Sequence, residues 1–138
     1  MRPFVAILIG IIVAFTLVSV GDVISHQIVP APTDLDLQNR TALAEYAQSL
    51  PWTVFAVLYA AMLLGSFCGG SLACLISPSR AKVNAWVVGG LVLLGAIGNF
   101  VMIPHPPAFV GLTLVSLLTS PLAVSRLFRG VTPANSAA

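Results

Sequence analysis

Four long apolar segments fill most of the 138-residue chain, and short polar stretches separate them. A helix needs about 20 apolar residues to cross the roughly 30 Å hydrocarbon core of a bilayer. The chain therefore predicts an all-α membrane protein with four transmembrane helices: Pro3 to Val20 with a continuation to Ile28, Trp52 to Ile76, Lys82 to Ile103, and Pro107 to Phe128. We expect one bundle over residues 1–130 and a disordered tail over residues 131–138.

The composition supports a membrane protein. Hydrophobic residues make up 58% of the chain, charged residues 7%, and the mean hydropathy is +1.02. A soluble domain of this size cannot cover its surface with so few charges. The lipid bilayer is therefore the expected surrounding of most of the chain.

The basic residues predict the orientation of the bundle. Five of the six lie on one side of the expected threading: Arg2, Arg80, Lys82, Arg126 and Arg129. The segment between the first two helices holds Arg40 alone, together with three carboxylates, Asp34, Asp36 and Glu45. Cytoplasmic loops carry an excess of Lys and Arg. Both termini are therefore predicted to be cytoplasmic.

The first segment also has an alternative interpretation as a cleaved signal peptide. Arg2, the apolar core and the stretch Ser19-Val20-Gly21 match the general pattern of such peptides. The apolar stretch is long for a signal peptide, however, and its charged part is a single arginine. A retained first helix is preferred.

The segment from Val29 to Leu50 is predicted to begin with an extended Val29-Pro-Ala-Pro stretch and then to form a short helix along the outer interface, capped by Thr33 or Asp34. Its apolar residues recur at roughly helical spacing, which gives such a helix one face for the membrane. They are Leu35, Leu37, Leu43, Tyr46, Ala47 and Leu50.

Small residues in the second and third segments indicate close helix packing. In the second, Gly65, Gly69 and Ala73 form one stripe, and Ser66, Gly70 and Cys74 form its neighbour. The small residues of the third are Ala85, Gly89, Gly90, Gly95 and Gly98. Small side chains four residues apart let two helix backbones approach closely. We expect these two helices to pack on each other within one molecule; the alternative is that a stripe mediates oligomerisation.

Polar residues at the outer ends of the segments are the candidate site. Asp22 and His26 are neighbours at helical spacing, Asn99 lies just inside the outer boundary, and His105 lies in the Pro104-His105-Pro106-Pro107 turn. They are predicted to form one layer that binds a metal, relays a proton or contacts a small ligand. The alternative is that Asp22 and His26 only mark an interfacial helix end. The residues specify no cofactor, and we assign none of them a catalytic role.

Several of these motifs occur together in a way that resembles a known family. They are the Asp22-xxx-His26 helix end, the proline-rich acidic loop, the Gly65-xxx-Gly69-Gly70 helix and the Asn99-xx-Met102-Ile103-Pro104-His105-Pro106 turn. Over nearly the whole chain they resemble a family of small uncharacterised four-span bacterial inner-membrane proteins. Glu is common there at the Asp22 position, and an aromatic pair follows the turn, of which Ala108-Phe109 keeps one. The resemblance implies the bacterial inner (cytoplasmic) membrane and no activity.

Three classes of function remain. A structural or auxiliary subunit, in a homo-oligomer or a larger membrane complex, needs only the packing stripes and is the preferred interpretation. The second class is binding or transport of a small ligand, metal or ion through the polar layer; Asp22 is the only carboxylate within a segment, which weakens a proton-coupled route. A membrane enzyme is the third and is less favoured, because Asp22, His26 and His105 do not specify a reaction. No basic stripe indicates nucleic acid.

Overall fold

The computed structural model describes residues 2–33, 35, 36 and 38–128. Their elements are α1 (Arg2–Ile28), α2 (Arg40–Ser49), α3 (Trp52–Ile76), a single 3-10 turn (Pro78–Arg80), α4 (Ala81–Met102) and α5 (Pro107–Leu127). This part of the chain contains helices and no strand, so the all-α prediction is confirmed. The predicted tail at 131–138 lies outside the described residues, as do Asp34, Leu37 and Arg129.

Four of the helices, α1, α3, α4 and α5, are long and apolar enough to cross a membrane, as predicted. Their outer faces carry large exposed apolar side chains, for example Phe4 (72% exposed), Leu94 (64%) and Val115 (62%). Such surfaces are costly in water and normal against lipid tails. The four long helices are therefore those of a multi-pass membrane protein.

Helices α1 and α3 approach each other most closely. A Cβ added at Gly65 would lie 2.7 Å from the carbonyl oxygen of Ala14, and one added at Gly10 would lie 2.6 Å from that of Gly69. The Gly65–Gly69–Ala73 stripe thus packs on α1, while α3 packs on α4, as predicted, through other residues such as Gly70 and Ala85. The sequence interpretation overlooked Gly10 and Ala14, the matching stripe on α1, and a small-residue stripe does not by itself name its partner.

The neighbouring stripe of α3 faces α4 and α5. Ser66 Oγ donates to Ser120 Oγ over 3.1 Å, and a Cβ at Gly70 would contact Val124 at 3.6 Å. Gly89 of α4 lies directly against the ring of Pro121, which leaves no room there for a side chain. Helices α3, α4 and α5 are therefore held together by small residues and interhelical hydrogen bonds.

Two glycines of α4 face away from the rest of the molecule. A Cβ at Gly90 or Gly98 would meet no atom within 4 Å among the described residues. A packing role for either would thus need a partner outside the described residues. Gly95 differs, because its Cβ would lie 3.6 Å from the ring of Phe15 on α1.

Helix α2 lies across the end of the bundle at which α1 and α4 finish and α3 and α5 begin, called here the α2 end. Asn39 caps the helix, since its Oδ1 accepts from the backbone N–H groups of Thr41 and Ala42 at 3.0 and 3.3 Å. The helix therefore begins later than the predicted caps at Thr33 or Asp34. Arg40 donates to the carbonyl oxygen of Val101 and so ties α2 to the end of α4.

The opposite end of the bundle contains a polar residue that the sequence did not reveal. Asn84 is fully buried, and its Nδ2 donates to the carbonyl oxygens of Ala73 and Ser77 at 3.1 and 3.0 Å. Ala73 lies in the last turn of α3 and Ser77 directly follows the helix, so both bonds join α4 to the C-terminal end of α3. Asn84 thus fixes the tight turn between α3 and α4.

Candidate functional site: the cavity at the α2 end

A cavity of about 400 Å³ lies at the α2 end between α1, α3 and α4, with α2 over it. It is called here the α2-end cavity. The four polar residues singled out from the sequence, Asp22, His26, Asn99 and His105, all line it. None of the residues of α5 contributes to its wall. The α2 end therefore holds a cavity with room for a ligand.

The deep part of the cavity is apolar. Its lining there comes from all three walls: Phe15, Leu58, Met62, Val92 and Ala96. At 1.5 Å per residue, Phe15 lies about 20 Å along α1 from Ile28, and Val92 about 15 Å along α4 from Met102. The cavity thus reaches roughly halfway through the thickness of a bilayer core.

Asp22 and His26 form one side of the polar rim. Their side chains are about 60% exposed, and His26 Nδ1 lies 3.8 Å from Asp22 Oδ1. The same nitrogen lies 2.9 Å from the main-chain carbonyl oxygen of Asp22, to which an Nδ1–H would donate. Because the pair is not joined by a short hydrogen bond, the carboxylate keeps its capacity to accept from a ligand.

His105 lies on the other side of the rim within an aromatic cluster. Its ring centroid is 5.1 Å from that of Phe100, 5.6 Å from that of Phe109 and 6.2 Å from that of Phe55. Phe109, the aromatic residue kept after the Pro-His-Pro turn, stacks on the imidazole at an angle of 25°. Packing within this cluster holds the ring in a fixed orientation.

The environment of His105 favours its neutral form. Burial lowers the pKa of His105 below the ordinary imidazole value, and the hydrogen bond to the carbonyl oxygen of Ile103 raises it by a smaller amount. That bond is 2.6 Å long and is donated by Nδ1. A neutral ring protonated at Nδ1 presents Nε2 as an acceptor.

The structure thus brings the four predicted residues to one cavity without joining them directly. Among the described residues, no hydrogen bond or ion pair links Asp22 or His26 to Asn99 or His105. Within the same part of the chain, no three His, Cys, Asp or Glu side chains are grouped so as to hold a metal ion. The arrangement suits an organic molecule that spans the rim and the apolar depth.

The cavity is open along the side between α1 and α4. The lining residues Phe15, Ser19, Asp22 and His26 of α1 are exposed, as is Gly95 of α4. The residues that line it from α3, by contrast, are buried or half-buried. In a bilayer, this opening faces the lipid. At the edge of the opening farthest from the α2 end, the ring of Phe15 lies beside Gly95.

Phe15 and Gly95 are the site residues that sequence reasoning missed. The available signal was spacing, because Phe15, Ser19, Asp22 and His26 lie on one face of α1, but only Asp22 and His26 stand out there as ionisable residues. Comparison with protein-family models, curated proteins and solved structures gives no match, so the site is interpreted from its own geometry.

Proposed function

We propose that this protein binds a small amphipathic molecule from the bilayer in the α2-end cavity. The observation that carries the proposal is one cavity with an apolar depth, a polar rim and an opening between α1 and α4. Its volume of about 400 Å³ lies in the range of small-molecule sites. An elongated molecule with one polar end would satisfy both parts of the lining.

The setting we propose is the bacterial inner membrane, with both termini in the cytoplasm and the α2 end outside. The supports are the excess of Lys and Arg at the opposite end of the bundle and the resemblance carried by the motifs at Asp22, Gly65 and Asn99. The ligand would then come from the outer leaflet.

Binding fits the structure better than passage through the membrane. Below the cavity the helices close on each other: a Cβ at Gly10 would lie 3.0 Å from both Ala73 and Val88. The contacts between α1 and α3 also account for the Gly65–Gly69 stripe without a second molecule. A role as an auxiliary subunit is compatible with ligand binding and would use the same cavity.

Two leucine substitutions on α4 test the proposal. In phosphatidylcholine nanodiscs, the fluorescent amphiphile naphthylmethanol should bind the wild-type protein saturably, with empty nanodiscs subtracted. Gly95→Leu should weaken binding by about tenfold or more, because its side chain enters the lined space beside Phe15. Gly98→Leu is the matched control and should bind as wild type, since its side chain meets open space. Equal affinities for the two variants, or no saturable binding to wild type, would contradict the proposal.

A further inference from the structure

We infer that the preferred ligand is a lipophilic amine, with its ammonium group at Asp22 and its apolar body in the depth of the α2-end cavity. This inference rests on the proposed function and adds the charge of the ligand. Two observations support the inference: the sign of the charge in the lining and the hydrogen-bond acceptors around the rim.

The charge of the lining has one sign. Among the described residues that line the cavity, Asp22 is the only carboxylate and none is Lys or Arg. The one cationic residue of α2, Arg40, donates to the carbonyl oxygen of Val101 at the end of α4. A cation bound at the rim would therefore meet an opposite charge and no like charge from a lysine or arginine.

The uncharged polar groups of the rim also favour a ligand that donates hydrogen bonds. With its Nδ1–H bound to the carbonyl of Ile103, neutral His105 has an acceptor nitrogen left. Asn99 adds an amide oxygen and Tyr46 a hydroxyl oxygen to the same lining. An ammonium group has three N–H donors and no acceptor, so it is the complement of such a rim.

Other charged ligands fit this rim less well. A phosphate headgroup would face the carboxylate of Asp22 with no lysine or arginine among the described lining residues to balance it. A bare divalent cation would lack ligands, because the described residues hold no group of three His, Cys, Asp or Glu side chains around a common point. The apolar depth would also remain empty.

Three probes share one naphthalene body and differ in the charge of the polar group, so they separate the effect of charge on affinity from the effect of shape. They are naphthylmethylamine, naphthylmethanol and naphthylacetate. They are titrated against the full-length protein in phosphatidylcholine nanodiscs at about pH 8, above the ordinary range of imidazole titration. The amine should bind about three to ten times more tightly than the alcohol, as expected for a partly exposed ion pair, and the carboxylate should bind most weakly.

Two carboxylate variants identify the residue responsible. Asp22→Asn should remove the preference for the amine over the alcohol. Glu45→Gln removes an exposed carboxylate of α2 that does not line the cavity, and it should keep the full preference for the amine.

The outcomes distinguish this inference from the proposed function. If wild type binds amine and alcohol equally, or if Glu45→Gln abolishes the preference as Asp22→Asn does, the inference is overturned while binding in the cavity stands. If none of the three probes binds saturably to wild type, both fail. Melting curves of each variant beside wild type show that a loss of binding is not a loss of fold.

Discussion

His105 shows how one residue can join the stability of the fold to the chemistry of the site. Its ring packs against Phe55, Phe100 and Phe109, and its Nδ1 donates to the carbonyl of Ile103. Protonation would place a charge within this aromatic cluster, where water can solvate it only in part. The neutral ring therefore belongs to the folded state.

Acid should destabilise the fold through His105. The pKa of this imidazole is lower in the folded protein than its ordinary value near 6.5, so the unfolded chain binds more protons between the two values. The stabilisation is complete above the ordinary pKa and is lost as the pH falls from it towards the folded value. Tryptophan-fluorescence melting in detergent should show Tm falling between about pH 7.5 and about pH 5, by a few degrees more in wild type than in His105→Phe. His26 is retained in both proteins, and equal slopes would contradict this role.

Single residues also mark the limit of what the sequence predicts. The sequence places Asp22, His26, Asn99 and His105 at similar depth because helix rise converts position into height. It gives no sign of the role of Asn84, whose partners are the carbonyl oxygens of Ala73 and Ser77 at the C-terminal end of α3. Asparagine is common in turns for many reasons, so its type and position alone do not indicate this role.

At the scale of elements, the pairing of α1 with α3 depends on backbone contact. Gly69→Leu should strongly destabilise the protein, by roughly 3 kcal/mol or more, because its Cβ would run into the carbonyl oxygen of Gly10. Gly98→Leu, which meets open space, should melt close to wild type. Thermal melting in detergent compares the two. If Gly69→Leu melts at the wild-type temperature, the close contact between Gly69 and Gly10 does not hold α1 and α3 together.

The helices themselves and the packing of α3 on α4 were predictable, but the pairing of the Gly65–Gly69 stripe with α1 was not. Each long helix is an uninterrupted apolar segment of membrane-spanning length, and that property is local. Choosing α1 instead of α4 as the partner of the Gly65–Gly69 stripe required Gly10 and Ala14 to be recognised as its complement. Short connections favour neighbours in sequence, but here a tight turn joins α3 to α4 while the closest glycine contacts are made with α1.

At the scale of the whole molecule, the four-helix threading predicts a common side for both termini. Reporter fusions at the C-terminus and within Ser77–Ala81 should report cytoplasm, and one within residues 38–48 should report the outer side, because of the Lys and Arg asymmetry. Alkaline phosphatase and a fluorescent protein give complementary signals for the two sides. An outer C-terminus would contradict the four-helix threading, whereas removal of the first helix as a signal peptide would leave the C-terminus in the cytoplasm and would show as a shorter mature protein.

The cavity is a property of the whole molecule, which is why the sequence predicted only its rim. Polar residues in apolar segments are conspicuous, whereas Phe15, Met62 and Val92 resemble every other apolar residue until the helices are assembled. The depth of the cavity arises because α1 and α4 touch at Gly10–Val88 and at Phe15–Gly95 and separate towards the α2 end. No local pattern encodes that divergence.

The contact between Phe15 and Gly95 also sets how quickly molecules could exchange with the bilayer. An aromatic ring that stands against a glycine can change rotamer without moving either helix backbone, and side-chain rotations of this kind take picoseconds to nanoseconds when the ring is partly exposed. A path through this opening would need no slow rearrangement of the bundle. The lifetime of a bound molecule would then depend on the strength of its contacts, and its arrival would depend on lateral diffusion in the membrane.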